Sequence, residues 1–243
     1  MINKIGILGY GEVGQAIHKF YDESKQEVFI ADKRNNKLEK GISILHVCIP
    51  YSNTFLKTIL RIDSKYSPEF IVIHSTVKVG TTKYLNEHLQ RRVVHSPVMG
   101  VHPNLHEGIK TFKKYIGYES MDTAYNIQKH FDSLGITSEI VLDSRNTELG
   151  KLLDTTYYGL CIAYHGYIAD LCTKNGLDFN TVATDFNNTY NEGYAKLGMP
   201  FVNRPVLRAP ERHIGGHCVI ANAKILMKQF GINNILKSIL KYK

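Results

Sequence analysis

The stretch KIGILGYGEVGQAIHKFYDES, from Lys4 to Ser24, decides the fold. Its apolar opening, KIGILG, reads as a buried strand, and EVGQAIHKFYDES reads as a helix. Between them Gly9, Gly11 and Gly14 stand at the spacing G-x-G-x-x-G, with Tyr10, Glu12 and Val13 in the intervening positions. Gly9 allows the tight turn, Gly11 lets the backbone approach a pyrophosphate, and Gly14 lets helix and strand pack closely. A helix beginning there stabilises phosphate charge with its unpaired N–H groups. The spacing alone also occurs in turn-rich junctions that bind no nucleotide. The context carries the reading: a strand before, a helix after, and an acidic residue closing the next strand. That strand is EVFIADK, and Asp32 is placed to accept hydrogen bonds from adenine ribose hydroxyls. A carboxylate there repels a 2′-phosphate, which predicts NAD. Lys33 and Arg34 follow directly and leave NADP open.

Working outward, strand and helix patterns alternate through residues 1–145. ISILHVCIP is an apolar strand ended by Pro50, and SNTFLKTILRID a helix capped by Ser52 or Asn53. EFIVIHST, RVVHSP, KKYIGY and SEIVL read as strands; TTKYLNEHLQR and DTAYNIQKHFDSLG read as helices, the second closed by Gly135. Such alternation argues for an α/β fold, a Rossmann-type parallel sheet. Ligands of these sheets bind at the carboxyl edge. The candidates there are Pro50, Ser75 and Thr76 for the cofactor and His95 and Ser96 for a substrate. Each also has an ordinary loop reading, because Ser, Thr and Pro favour turns.

The pattern changes at DSRN, residues 143–146. TELGKLLDTTYYGLCIAYHGYIADLCTKNG then carries apolar residues at helical spacing, with Glu148 near its start suited to the helix dipole and Gly176 as a stop. FNTVATDFNNTYNEGYAKLG reads as a second helix, and CVIANAKILMKQFG and NNILKSILKYK as two shorter ones. A smaller all-α domain over 146–243 is therefore expected after the α/β domain. The Pro- and Gly-rich loop before Cys218 carries Arg204 and Arg208, which can pair with a carboxylate or phosphate; a plain surface loop is the alternative.

The chain is 43% hydrophobic and 21% charged, the balance of a chain that buries a core. No apolar run approaches the ~20 residues of a membrane span, and the N-terminal run is too short and too glycine-broken for a signal peptide. A cytoplasmic location is expected. The net charge of +8 suits an anionic cofactor or substrate. The basic residues are scattered, so nucleic-acid binding is not expected. Cys48, Cys161, Cys172 and Cys218 match no zinc spacing and are expected to be reduced. Cys48 reads as core, and Cys161 and Cys172 as buried on one helix face. Cys218 follows Gly215, Gly216 and His217 and would begin a helix, where the dipole favours a thiolate; a buried inert thiol is the alternative.

In motif order the chain resembles the UDP-glucose and UDP-N-acetylmannosamine dehydrogenases, of the wider group that includes 6-phosphogluconate and 3-hydroxyacid dehydrogenases. The resemblance runs through GYGEVG, Asp32, IHSTVKVGTT, HSP, TELGKLLDTTYYGLCIAYHGYIADLCTKNGLDF and IGGHCVIANAKIL. It implies oxidation of a sugar alcohol to a carboxylate by NAD through a thioester on Cys218. It also implies Lys151 as general acid/base, Ser75 and Thr76 lining the site, and a homodimer formed through the helix at 147–175. Substrate contacts at Gly215, Gly216 and His217 follow from the close backbone approach two glycines permit.

The departures are specific. Val98 stands where the family has a glutamate, Thr155 where it has an asparagine one turn after the lysine, and Asn222 where it has an aspartate one turn after the cysteine. An amide cannot accept a proton at neutral pH, so thioester hydrolysis is expected to be impaired. The family's third domain, which binds the UDP half, is expected to be absent, so that a smaller substrate or a partner chain completes the site. Two other functions stay open: a two-electron hydroxyacid or sugar-alcohol dehydrogenase using Lys151, and a catalytically weakened NAD-binding protein.

Overall fold

The KIGIL segment forms the central strand β1 (Lys4–Leu8) of an eight-stranded sheet. The structure is a computed structural model describing residues 4–22, 26–33, 35–89, 92–100, 103–210, 214, 218–231 and 234–241. The chain divides into two compact units, Met1–Lys151 and Leu152–Lys243. The expected change of pattern at 143–146 marks the start of a long helix, and the division falls later, within that helix.

In the first unit, β1 is followed by α1 (Glu12–His18), a 3-10 turn (Lys19–Tyr21) and β2 (Glu27–Asp32). A two-residue strand β3 (Asn35–Asn36) hairpins back onto β2. Then come β4 (Ile44–Val47), α2 (Phe55–Tyr66), β5 (Phe70–Ile73), α3 (Thr81–Leu89) and β6 (Arg92–His95). The unit ends with α4 (Leu105–Thr111), β7 (Lys114–Tyr118), α5 (Met121–Ser133) and β8 (Ser138–Leu142). The strand order is β3-β2-β1-β4-β5-β6-β7-β8. The sheet is covered on both faces, which is why its central strands read as unbroken apolar runs. Ile44, Phe70 and Val72 pack with α1, α4 and α5; Leu45, Val47, Ile71 and Ile73, on the alternate positions, pack with α2 and α3.

The sheet is mostly parallel rather than wholly so. Besides β3, the pair β7 and β8 runs against β6 while lying parallel to each other. The connection explains it. The chain leaves β6 at the carboxyl edge, passes through α4 and enters β7 from that same edge, with His95 opposite Gly117. The pattern reading missed α4. Gly108 makes its close packing possible, since a Cβ there would lie 2.9 Å from Gly100 Cα. The expected cap of α2 also shifts: Thr54 is its N-cap residue, and Ser52 instead accepts a 3.3 Å hydrogen bond from the Thr54 amide.

The long helix α6 (Ser144–Asn175) enters the second unit and stops at Gly176, whose φ of +66° is the left-handed conformation glycine adopts without strain. A π-helical turn (Asn180–Asp185) leads into α7 (Phe186–Lys196), and α8 (Cys218–Phe230) and α9 (Asn234–Leu240) follow. A small core of Ala163, Val219, Ala223, Met227 and Ile239 joins α6, α8 and α9. Gly159 permits it, since a Cβ there would lie 2.4 Å from Val219. Among the described residues, no helix is long and apolar enough to cross a membrane.

Candidate functional site

The strand order reverses at β1: β2 lies on one side, and the chain then crosses to β4 on the other. That reversal opens a crevice at the carboxyl edge. The ladder continues one residue beyond the strand ends and levels that edge. Gly9 N donates to Ala31 O at 2.7 Å, Cys48 N to Leu8 O at 2.8 Å, His74 N to Val47 O at 2.9 Å and Ser96 N to Ile73 O at 2.8 Å.

The three glycines do three different things there. Gly9 has φ +96°, and a Cβ would press on Ile49 and Cys48 backbone. Gly14 backs onto the same turn, and a Cβ there would lie 2.0 Å from Gly9 O. Gly11 is exposed, and a Cβ there would meet nothing within 4 Å, so its missing side chain leaves open space above the turn. It is also the N-cap residue of α1 and makes no side-chain cap. Glu12 lies exposed beside it, and Val13 packs partly into the core. The Tyr10 hydroxyl bonds His18 Nδ1 at 2.6 Å, folding the ring back onto α1. Asp32 ends β2 exposed, one residue beyond the Leu8–Ala31 pairing and thus next to Gly9. Lys33 is exposed beside it; Arg34 lies outside the described residues. The open space above Gly11, the helix start beside it and the exposed carboxylate of Asp32 fit a dinucleotide.

Pro50 is exposed on the turn after β4. Ser75 reaches it from the next strand end, donating its hydroxyl to Ile49 O at 2.6 Å. Thr76 is half-buried beside Ser75. His95 and Ser96 are fully buried. His95 Nε2 lies 3.2 Å from Ser75 O and Nδ1 lies 2.8 Å from the Thr147 hydroxyl, so the ring ties β6 to the loop after β5 and to α6. Burial first, then the charges of Lys114 and Lys151, push its pKa down to about 3, while the Ser75 contact opposes them. It is a neutral, positioning imidazole. Val98 is packed in the core, so the position where the resemblance calls for a carboxylate holds a buried methyl pair.

A polar network the sequence reading missed lies beneath this edge. His46, His74 and Lys114 sit on the α1/α5 face by the same alternation that places Ile44, Val72 and Ile116 there. Tyr21 Oη lies 2.7 Å from both His46 Nε2 and His130 Nε2; His46 Nδ1 lies 2.8 Å from His74 Nε2, and His74 Nδ1 lies 2.9 Å from Ser96 O. A carbonyl only accepts, so His74 Nδ1 carries the proton. With neutral rings the direction then propagates: His46 Nδ1–H donates to His74, Tyr21 donates to His46, and His130 Nε2–H donates to Tyr21. Burial holds the rings neutral, lowering His46 and His74 well below the usual range and His130 to about 4. Lys114 Nζ donates to Ser96 O at 2.6 Å and Pro97 O at 3.1 Å, and burial brings its pKa down to about 7. Because β7 runs against β6, Lys114 lies just past the end of β6, where it fixes the Ser96–Pro97 turn.

Glu148, expected to serve its own helix, caps another. Its carboxylate accepts the amides of Gly80 at 2.6 Å and Thr82 at 2.8 Å at the start of α3. That holds in place the loop after Thr76. Lys151, one turn further along α6, is half-buried, and Thr155 follows after one more turn.

In the second unit, Cys218 is exposed and is the first residue of α8. Asn222 is buried one turn on, and its Nδ2 has no hydrogen-bond partner. Gly215, Gly216 and His217 lie outside the described residues. Arg204 is half-buried and Arg208 exposed. Of the other cysteines, Cys172 is buried as expected, while Cys48 and Cys161 are half-buried.

No protein-family model matches the chain, and no curated protein matches it. Among solved structures it is similar to the UDP-D-ManNAc dehydrogenase of Pyrococcus horikoshii: TM-score 0.79 and 16% identity, over 98% of this chain and 68% of that one. It is similar to the UDP-glucose dehydrogenase of the hyperthermophilic archaeon Pyrobaculum islandicum: TM-score 0.74 and 14% identity, over 100% of this chain and 68% of that one. The 3-hydroxyisobutyrate dehydrogenase of Mycobacterium tuberculosis superposes with TM-score 0.70 and 11% identity, over 98% of this chain and 91% of that one. At these identities the likeness is one of fold, shared with the dehydrogenases whose motif order the chain resembles.

Proposed function

We propose that the protein is an NAD-dependent oxidoreductase acting on an alcohol or aldehyde of an anionic, sugar-type or nucleotide-sugar substrate. The observation that carries this is the Gly9–Gly14 turn at the switch point of the sheet, open above Gly11 and flanked by Asp32. A bound nicotinamide supplies the hydride acceptor. The exposed Asp32 favours NAD over NADP by repelling a 2′-phosphate.

Lys151 is the proposed acid–base group. Its charge is felt by buried His95 and Lys114, which supports a position close to the strand ends that they occupy. Thr155, one turn on along the same helix, is the proposed hydrogen-bonding partner of a reacting oxygen. Cys218 is the proposed nucleophile, since it is exposed and begins a 13-residue helix. Its sulfur adds to an aldehyde carbon to give a thiohemiacetal; that carbon then gives up a hydride and its hydroxyl gives up a proton to Lys151, which leaves a thioester. Asn222, buried with an unpaired amide N–H, can orient a water or a substrate oxygen but cannot take its proton. That favours a second reading, in which oxidation stops after one hydride.

Titration with NADH and NADPH tests the cofactor, and no binding of either sinks the proposal. A panel of nucleotide sugars, sugar phosphates and hydroxyacids tests the chemistry. Loss of acid production in Cys218→Ala supports the thioester route; unchanged NADH production supports the two-electron route. Tight NAD binding with no turnover in the wild type marks a catalytically weakened binding protein. We also propose a cytoplasmic homodimer formed through α6, supported by its exposed Tyr157, Tyr158, Tyr164 and Tyr167. A monomer by light scattering overturns the dimer.

A further inference from the structure

Asn187, Tyr190, Asn191 and Tyr194 stand at i, i+3, i+4 and i+7 on α7, a single stripe of the helix. In an ordinary surface helix that stripe is apolar and buried. Here it is polar and aromatic, and α7 buries no side chain. It is directed instead at two residues of the loop that follows. Asn191 Oδ1 accepts the Arg204 amide at 2.8 Å, and its Nδ2 donates to Arg204 O at 2.9 Å, so one side chain closes on both backbone groups of one residue. Asn187 Nδ2 donates to Pro205 O at 3.2 Å.

With its backbone pinned, the Arg204 side chain lies against tyrosine. Its guanidinium carbon is 4.0 Å from the Tyr190 ring centroid and 5.5 Å from that of Tyr194, the two rings being 19° from parallel. Stacking of this kind restricts a long side chain that would otherwise sample many rotamers. Yet the guanidinium is not satisfied. Nη1 is buried and has no hydrogen-bond partner, and no carboxylate pairs with Arg204 among the described residues. An arginine held only for packing would satisfy that charge on carbonyls or carboxylates. The π-helical turn Asn180–Asp185 immediately before α7 resets the rotation of the stripe, and such turns concentrate at functional sites.

We propose that Tyr190, Asn191 and Tyr194 are positioning residues that preset Arg204 as the receptor for an oxyanion of the substrate, a phosphate or a carboxylate. This rests on the reading of the substrate as anionic. Tyr190 and Tyr194 hold the plane of the guanidinium, Asn191 holds its root, and the guanidinium N–H groups take the anion. Affinity then comes from order fixed before binding, and loss of any support weakens binding without touching the charge.

The test is calorimetric titration of the full chain, saturated with NADH so that the Gly9–Gly14 turn is occupied, with inorganic pyrophosphate and, separately, with D-glucuronate; NADH is titrated into each anion-free variant in parallel. At least one of the two anions binds the wild type, and which one binds identifies the source of the oxyanion. Arg204→Met abolishes that binding. Asn191→Ala and Tyr190→Leu weaken it about tenfold with NADH affinity unchanged, whereas Tyr190→Phe, which keeps the ring, stays within about twofold. The slowed rotation of the Arg204 guanidinium, read by 15N NMR without ligand, is lost in Tyr190→Leu and kept in Tyr190→Phe. Wild-type affinity in both Asn191→Ala and Tyr190→Leu, with binding lost in Arg204→Met, overturns the positioning role and leaves Arg204 as receptor. Binding unaffected by Arg204→Met, or no binding of either anion to the wild type, overturns the receptor itself. The parallel NADH titration shows separately whether the cofactor reading stands.

Discussion

Glu148 accepts two hydrogen bonds from Thr82, one from the backbone amide at 2.8 Å and one from the hydroxyl at 2.7 Å. With the Gly80 amide on its other oxygen at 2.6 Å, a carboxylate on α6 closes the amino end of α3. Burial raises the pKa of Glu148, and the three donors oppose that rise. Glu148→Ala leaves the buried Thr82 amide without its acceptor. The expected loss is about 3 kcal/mol, the cost of orphaning donors to a charged group, read by urea denaturation. A loss below about 0.5 kcal/mol, the range of an ordinary surface substitution, contradicts the cap.

The nucleotide turn separates stability from binding. Gly14→Ala drives a methyl group to 2.0 Å from Gly9 O, so the turn must move. Both thermal stability and NADH affinity are expected to fall. At Gly11 an added Cβ meets nothing within 4 Å, and the backbone angles there, φ −77° and ψ −162°, are ordinary for valine. Gly11→Val should melt with the wild type and yet bind NADH about tenfold or more weakly, since the valine fills the space a pyrophosphate needs. Equal NADH affinity in Gly11→Val places the cofactor elsewhere.

The buried cations predict a pH dependence of stability. Folding brings Lys114 from its ordinary 10.5 to about 7, so between those values the unfolded chain binds more protons than the folded one. Stability therefore rises as pH goes from about 7 toward 10, and the penalty for the buried charge is fully present below 7. The lowered histidines act the same way at lower pH. Below the usual histidine range the unfolded chain takes up protons that His95, at about 3, and His130, at about 4, refuse. Lys114→Met is expected to abolish the alkaline rise and to leave the acid loss in place. Denaturation midpoints at pH 5, 7 and 9 check both limbs.

Exposure orders the thiols. Cys218 is exposed, Cys172 is buried, and burial pushes the half-buried Cys48 thiol up to about 12. Iodoacetamide at pH 8 is expected to label Cys218 first, with Cys48 and Cys172 labelled only on unfolding. Peptide mass spectrometry over time reads the order. Labelling of Cys48 as fast as Cys218 removes the basis for treating Cys218 as the accessible nucleophile.

Much of this was legible in the sequence because it is local. The glycine spacing, the apolar runs of strands buried on both faces and the helix stopped by Gly176 depend on residues a few positions apart. The sequence therefore determined the α/β order, the turn at Gly9–Gly14 with Asp32 beside it, and Cys218 at a helix start. Only the tertiary structure decided the rest. It set β7 and β8 against β6, with the chain entering β7 from the edge where β6 ends. It gave Glu148 a partner 66 residues away and tied Tyr21 to His130 across 109. It turned the stripe of α7 toward Arg204. No spacing rule reaches these pairings: a hydrogen bond forms wherever folding brings donor and acceptor together, and which residues meet is fixed by how the elements pack.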